Sequence, residues 1–181
     1  MNNVVFVTGN ANKARYFSEL VGMDIPHQKA DVPEIQSLNP EEVVIAKAKA
    51  AFLELGRPVI VEDTSLIIET MGRLPGTFIK WFIDELSMEK LCRLADSDPL
   101  RKAAASAIFA YYDGNDLRLF KGSIVGSIAQ DPRGSSGFGW NAIFIPDGAE
   151  KTLGEMDDAE FKKYYGKIKR FDEVKVFLAS L

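Results

Sequence analysis

The segment Thr8-Gly9-Asn10-Ala11-Asn12-Lys13 follows a short apolar run, Val4-Val5-Phe6-Val7, and leads into residues with helical periodicity. A turn from a buried strand into a helix N-terminus leaves backbone N–H groups and the positive end of the helix dipole where an anion can bind. Gly9 and Asn10 tolerate positive φ, and Lys13 supplies a point charge suited to a phosphate oxygen. The spacing is not that of a P-loop, G-x-x-x-x-G-K-[S/T], and the same residues also make an ordinary turn and helix cap. A second cation, Lys47, falls within the apolar stripe of Val43, Val44, Ala48, Ala51, Phe52 and Leu55. Either its methylenes pack while its ammonium reaches water, or it aims a positive charge into a binding site.

The acids Glu62 and Asp63 follow an apolar run at 58–61, the place where α/β sheets present active groups. Side chains alternate across a strand, so adjacent acids point to opposite sides and one of them needs a partner from elsewhere. Glu34, in the otherwise apolar Val32-Pro33-Glu34-Ile35, is a candidate partner. Two carboxylates and phosphate oxygens suit Mg²⁺, which prefers hard oxygen ligands and keeps several waters. Taken singly, each acid also reads as a surface residue in a loop. Phe138-Gly139-Trp140 sets aromatics beside a glycine-rich loop, a stacking platform for a base or simple core packing. The acidic stretch at 155–160 and the basic stretch at 162–170 read as solvated faces.

Composition narrows the chemistry. The chain of 181 residues contains one histidine, His27, and one cysteine, Cys92. That excludes an intrachain disulfide and a zinc site built mainly from His and Cys, and it leaves carboxylate chemistry as the better starting point. With 22 basic and 26 acidic side chains the net charge is −4, so a nucleic-acid-binding surface is not expected. A chain 46% hydrophobic and 27% charged is globular rather than disordered. Met1-Asn2-Asn3 carries no basic leader, and the apolar stretch after it stops at Thr8, so no signal peptide is expected. The longest mostly apolar run, 103–112, is half of the roughly 20 residues a membrane span needs. The sequence therefore predicts a cytoplasmic protein with no membrane contact.

The elements that must position these residues follow from periodicity and caps. A strand at 4–7 and a helix at 11–21 closed by Gly22 form the first unit. A second helix begins with Asn39 as N-cap, Pro40 in the first position and Glu41 and Glu42 at the positive end, and closes at Gly56. A strand covers 58–61, a turn Leu74-Pro75-Gly76, and helices 78–86 and, from Ser87, to about Ala95. Segments 102–112 and 117–129 flank Asp113-Gly114-Asn115-Asp116 as a long β-hairpin that could form an arm. A loop at 132–139 leads into a strand at 140–145, and a final helix carries Phe171, Val174, Phe177 and Leu178. Without repeats or linkers, the pattern predicts an α/β fold with a mixed sheet, a single domain over 1–181.

In combination these residues resemble the inosine triphosphate pyrophosphatase family, also called the Ham1 or non-canonical purine NTP pyrophosphatase family. The resemblance rests on Thr8-Gly9-Asn10-x-x-Lys13, Val32-Pro33-Glu34-x-Gln36, Lys47, Val61-Glu62-Asp63-Thr64, Leu74-Pro75-Gly76, Ile79-Lys80-Trp81-Phe82 and Phe138-Gly139-Trp140, in order, over about 4–148. It implies a two-lobed α/β fold with a long mixed sheet, flanking helices and a central substrate cleft, usually in a homodimer. It implies Mg²⁺-dependent hydrolysis of ITP, dITP and XTP to monophosphate and pyrophosphate. By motif, it assigns Thr8, Gly9, Asn10, Lys13 and Lys47 to the triphosphate, and Glu34 and Asp63 to the metal. Asp63 is also the general base, and Thr64 lies beside the phosphates. Phe138, Gly139, Trp140, Asn141 and the C-terminal segment line the base pocket.

The departures fall in that pocket. Asn141 stands where the family has Asp, and the Ser-His-Arg signature is missing. Aligning the final helix by its apolar stripe puts Ile168, Lys169 and Arg170 there, with Tyr164 in place of a lysine, so Lys169 and Arg170 are assigned to the base pocket. Lys13, Lys47 and Arg170 would then make a locally positive cleft in an acidic protein. Two alternatives are a Maf-like pyrophosphatase, distinguished by preference for pyrimidine or modified nucleotides, and an inactive nucleotide-binding module, distinguished by binding without turnover.

Overall fold

The computed structural model describes residues 4–181; Met1, Asn2 and Asn3, on which the leader expectation partly rests, lie outside the described residues. Seven strands form a mixed sheet: β1 (Val5–Val7), β2 (His27–Gln28), β3 (Val59–Ile68), β4 (Pro75–Gly76), β5 (Lys102–Tyr112), β6 (Leu117–Ile128) and β7 (Phe144–Pro146). Their order is β2-β1-β3-β5-β6-β7, with β4 paired to β3. β1 runs parallel to β2 and β3, whereas β3–β4 and β6–β7 are antiparallel. Among the described residues six α-helices and one 3-10 turn (Glu69–Met71) complete the α/β fold: α1 (Ala11–Val21), α2 (Pro40–Leu55), α3 (Ile79–Glu85), α4 (Met88–Arg93), α5 (Asp158–Lys169) and α6 (Phe171–Ala179). The chain divides into two compact units. The first comprises the chain through Asp63 with 107–122 and 169–181, and the second 64–106 and 123–168.

In the first unit the helix signals act as expected. Asn10 caps α1 by accepting hydrogen bonds from the N–H groups of Asn12 (3.0 Å) and Lys13 (3.2 Å), and Gly22 ends it in the left-handed conformation at φ 68°. Asn39 caps α2 by accepting from Glu41 N–H (3.1 Å), Pro40 opens it and Gly56 closes it. Val44, Ala48 and Ala51 of α2 pack on Val5, Val7, Val59 and Val61 of the sheet, with Lys47 within that stripe. A second packing centre is aromatic. The Phe6 and Phe17 rings stack at 4.3 Å, and Phe109 meets Phe17 and Phe171 at 5.5 Å each. That contact joins a strand, the first helix and the last helix.

In the second unit, Arg101 holds the turn before β5. It adopts φ 51° and donates to the carbonyls of Cys92 (2.5 Å), Ala129 (3.1 Å) and Ile128 (2.8 Å) and to the Asp96 carboxylate (2.7 Å). Gly126 is required where β6 meets β7, because a Cβ there would lie 2.2 Å from the Ile145 carbonyl oxygen. Ser87 caps α4 through Lys90 N–H (3.3 Å).

Five expectations are corrected. The strand at 58–61 continues to Ile68, so Glu62 and Asp63 lie in mid-strand rather than at its end. The Leu74-Pro75-Gly76 turn is in part a strand, since Pro75 and Gly76 pair with Ile67 and Leu66. The hairpin is no arm: β5 lies between β3 and β6, and β6 between β5 and β7. The strand at 140–145 is reduced to Phe144–Pro146, because 140–143 turn, with Ile143 N–H bonded to the Trp140 carbonyl (3.1 Å). The final helix is two, α5 and α6, broken by the left-handed conformation of Arg170, and α5 buries Phe161, Tyr165 and Ile168 at helical spacing while Lys163 and Lys167 lie on its solvated face. Among the described residues no helix is long and apolar enough to cross a membrane.

Phe109 is fully buried, and removing such a ring leaves a cavity that neighbouring aromatics refill only in part. Phe109→Ala is expected to lower unfolding free energy by about 3–5 kcal/mol, measured by urea denaturation. Leu53→Ala, at a side chain 81% exposed, should shift it by no more than about 0.5 kcal/mol.

Candidate functional site

The strand-to-helix turn of the first unit is organised by its own side chains. Thr8 Oγ1 accepts from Asn10 N–H (3.1 Å), and the Asn10 cap engages the N–H groups of Asn12 and Lys13. Donors expected to face an anion are thus held by the loop itself. Asn10 reaches this geometry at φ −98°, an extended conformation that any residue adopts. The turn carries the positive end of the helix dipole, while the Lys13 side chain, 20% exposed, turns its ammonium onto Glu62.

Lys47 pairs with a carboxylate that its sequence position did not indicate. Its stem lies in the apolar stripe of α2, and its ammonium bonds to Glu34 Oε1 at 2.5 Å, with side-chain exposures of 17% and 54%. Glu34 and Lys47 are therefore together, and both act electrostatically on Asp63.

Glu62 and Asp63, adjacent on β3, have opposite surroundings, as strand alternation requires. Glu62 is buried, with Lys13 Nζ 3.1 Å from Oε1 and Lys169 Nζ hydrogen-bonded to the same oxygen. Burial alone would raise its pKa, but the two ammonium groups outweigh that and hold the carboxyl down at about 2. Burial pushes Lys169 down to about 8, against the pull of Glu62; at neutral pH the pair is ionised.

Asp63 has no such partner. Its Oδ2 is buried without a hydrogen bond from any described residue. Burial drives its pKa up to about 6; Lys47 and Lys13 pull it down, while Glu34 and Glu62 push it up. A carboxylate that ionises near neutrality and keeps one oxygen uncommitted can accept a proton or ligate a cation. The described residues hold no group of three or more His, Cys, Asp and Glu arranged for a metal. Glu34 and Asp63 still offer the hard oxygen donors that Mg²⁺ takes when waters and phosphates complete its shell, and the orphaned Oδ2 fits that use.

In the second unit, Thr64, assigned beside the phosphates, is half-buried on β3. Trp140 is buried with its ring 5.5 Å from that of Phe144, which is core packing, whereas Phe138 is half-buried and meets Tyr165 edge-on at 6.1 Å. Gly139 holds φ 62°. Asn141 is buried, and its Nδ2 has no hydrogen-bond partner among the described residues. Gly137 must be glycine here, since a Cβ would lie 2.0 Å from that Nδ2. In the first unit, Lys169 is 2% exposed and engaged with Glu62. Arg170 takes φ 49° between α5 and α6 and pairs with Glu173.

The sequence left Glu62 without a role and did not connect Lys169 to it. The two are separated by 107 positions, and no local pattern announces such a pair. The cations expected to make a positive cleft each have an acidic neighbour in the first unit: Lys13 has Glu62, Lys47 has Glu34 and Arg170 has Glu173.

The model of the Ham1 family matches residues 4–175. An inosine triphosphate pyrophosphatase of Yarrowia lipolytica is 42% identical over 183 residues, covering 98% of this chain and 96% of the relative. That of Schizosaccharomyces pombe is 38% identical over 164 residues, covering 88% and 86%. Among solved structures, a HAM1 protein from Coxiella burnetii superimposes with a TM-score of 0.82 over the full length of both chains at 23% identity, a likeness of fold. With its motifs in order and its strands and helices arranged as in that structure, the chain belongs to the Ham1 family.

Proposed function

We propose that this protein hydrolyses non-canonical purine nucleoside triphosphates, of which ITP, dITP and XTP are the expected substrates, to the monophosphate and pyrophosphate in a Mg²⁺-dependent reaction. The observation that carries the reading is Asp63: a half-buried carboxyl whose Oδ2 is buried without a hydrogen bond from any described residue and whose pKa is pushed up to about 6, within the influence of Lys13 and Lys47. The names of the relatives at 38–42% identity support the substrate class.

The chemistry asks for little else. Lys13 and Lys47 receive phosphate oxygens, and Thr8, Gly9 and Asn10 shape the turn from which Lys13 projects. Asp63 takes a proton from the attacking water, whose oxygen bonds to the α-phosphorus as the bond to the departing pyrophosphate breaks. No covalent intermediate is needed. Glu34 and Asp63 would hold Mg²⁺, which when bound neutralises phosphate charge and favours displacement of pyrophosphate. Thr64 is proposed beside the phosphates, and Phe138, Gly139, Trp140, Asn141 and Arg170 for the base. A homodimer and a cytoplasmic location complete the reading, the first testable by sedimentation.

Pyrophosphate release from a nucleotide panel should be greatest with ITP, dITP or XTP and fall to background when EDTA removes the metal. Preference for a pyrimidine nucleotide, or binding without turnover, would refute the assignment. Asp63→Asn should lower kcat by about a hundredfold or more while nucleotide affinity, measured by calorimetry, changes by only a few-fold; retention of the full rate would remove Asp63 from its role.

A further inference from the structure

Two ammonium groups converge on one oxygen of one buried carboxylate. Glu62 is 3% exposed, Lys169 2% and Lys13 20%. The two lysines differ in more than exposure. Lys169 is the last residue of α5, and its ammonium lies 6.0 Å from the centre of the Phe109 ring, within the aromatic packing of the first unit. Lys13 stands in the first turn of α1 and keeps a fifth of its side chain exposed.

Charge bookkeeping gives this arrangement a purpose. A carboxylate buried in mid-strand must be paired, because losing its partner leaves an uncompensated charge out of water. If Lys13 were its sole cation, each turn of Lys13 toward a phosphate would strip Glu62 of its counter-charge. Binding energy would then be lost in proportion. With Lys169 in place, Glu62 stays neutralised wherever Lys13 points.

We propose that Lys169 is a positioning residue: by pairing with Glu62 inside the first unit, it releases the Lys13 ammonium to bind the polyphosphate of the substrate. This rests on the reading of the site as a nucleoside triphosphate site, deepens it, and gives Lys169 a role other than contact with the base.

The test compares Lys169→Met, Lys169→Arg and the double variant Glu62→Gln/Lys169→Met. Each is examined for KM and kcat with ITP and Mg²⁺, for binding of inorganic tripolyphosphate by calorimetry without metal, and for thermal unfolding. Lys169→Met should raise KM about ten- to a hundredfold, the range of a hydrogen bond to a charged group, with a smaller change in kcat. Tripolyphosphate affinity should fall in parallel. Lys169→Arg keeps the charge and should lose less. In the double variant Glu62 no longer needs a cation, so KM and tripolyphosphate affinity should return to within about threefold of the parent, converting to about 0.7 kcal/mol. A purely structural lysine would show no such rescue. Unchanged KM and affinity in Lys169→Met, or a double variant that binds tripolyphosphate as weakly as the single one, overturns the proposal. If Lys169→Met does not fold, weak tripolyphosphate binding by the folded double variant still overturns it. Absence of turnover by the parent protein would instead refute the enzymatic reading, with the tripolyphosphate arm still deciding the role of Lys169.

Discussion

A carboxylate in the middle of a buried strand is an expensive object, and the first unit is arranged around satisfying it. Glu62 lies on β3 with apolar Val61 before it, where an unpaired negative charge would cost several kcal/mol. The beginning of the chain supplies Lys13 from the first turn of α1, and a segment near the end supplies Lys169. The left-handed residue Arg170 then separates α5 from α6, so that Phe171 opens the last helix against Phe17 and Phe109. Electrostatic satisfaction and aromatic packing are achieved by the same neighbouring residues.

That solution also divides the labour between two adjacent acids. Glu62, with two ammonium groups on it, is held ionised at any pH the protein meets in normal use. Asp63, one residue on and facing the other side of the strand, has an Oδ2 with no hydrogen bond from any described residue and is pushed by burial up to about 6. Environments that push neighbouring carboxyl groups in opposite directions separate a structural charge from a reactive one. Lys47 and Glu34 tune the second without saturating it, since their closest contact is with each other.

Much of the fold could be read locally. The caps at Asn10, Asn39 and Ser87 and the stops at Gly22 and Gly56 are short-range hydrogen-bond and backbone effects, and all recur in the structure. Segments governed by burial were harder. β3 continues through Glu62 and Asp63 because its neighbours in the sheet and its counter-ions make room for them, whereas polarity alone argued for a strand end. The division of the final helix into α5 and α6 was hidden, because the left-handed conformation at Arg170 follows from no residue type that favours it. For Trp140 the sequence left a stacking surface and core packing both open, and the ring is buried against Phe144.

The sequence by itself determined the residue types available for chemistry: carboxylates and lysines, with a single histidine and a single cysteine, and a motif order specific enough to indicate the family. It also determined which turns open and close α1 and α2, since a cap and its helix are only a few residues apart. Only the tertiary structure decided that Lys169 meets Glu62 rather than solvent, that Glu34 is joined to Lys47, and that Asp63 keeps an oxygen uncommitted. The physical reason is range. A cap or turn is complete within its own hydrogen-bonding loop, whereas a buried charge acquires its pKa and its partner from whatever the folded chain brings beside it.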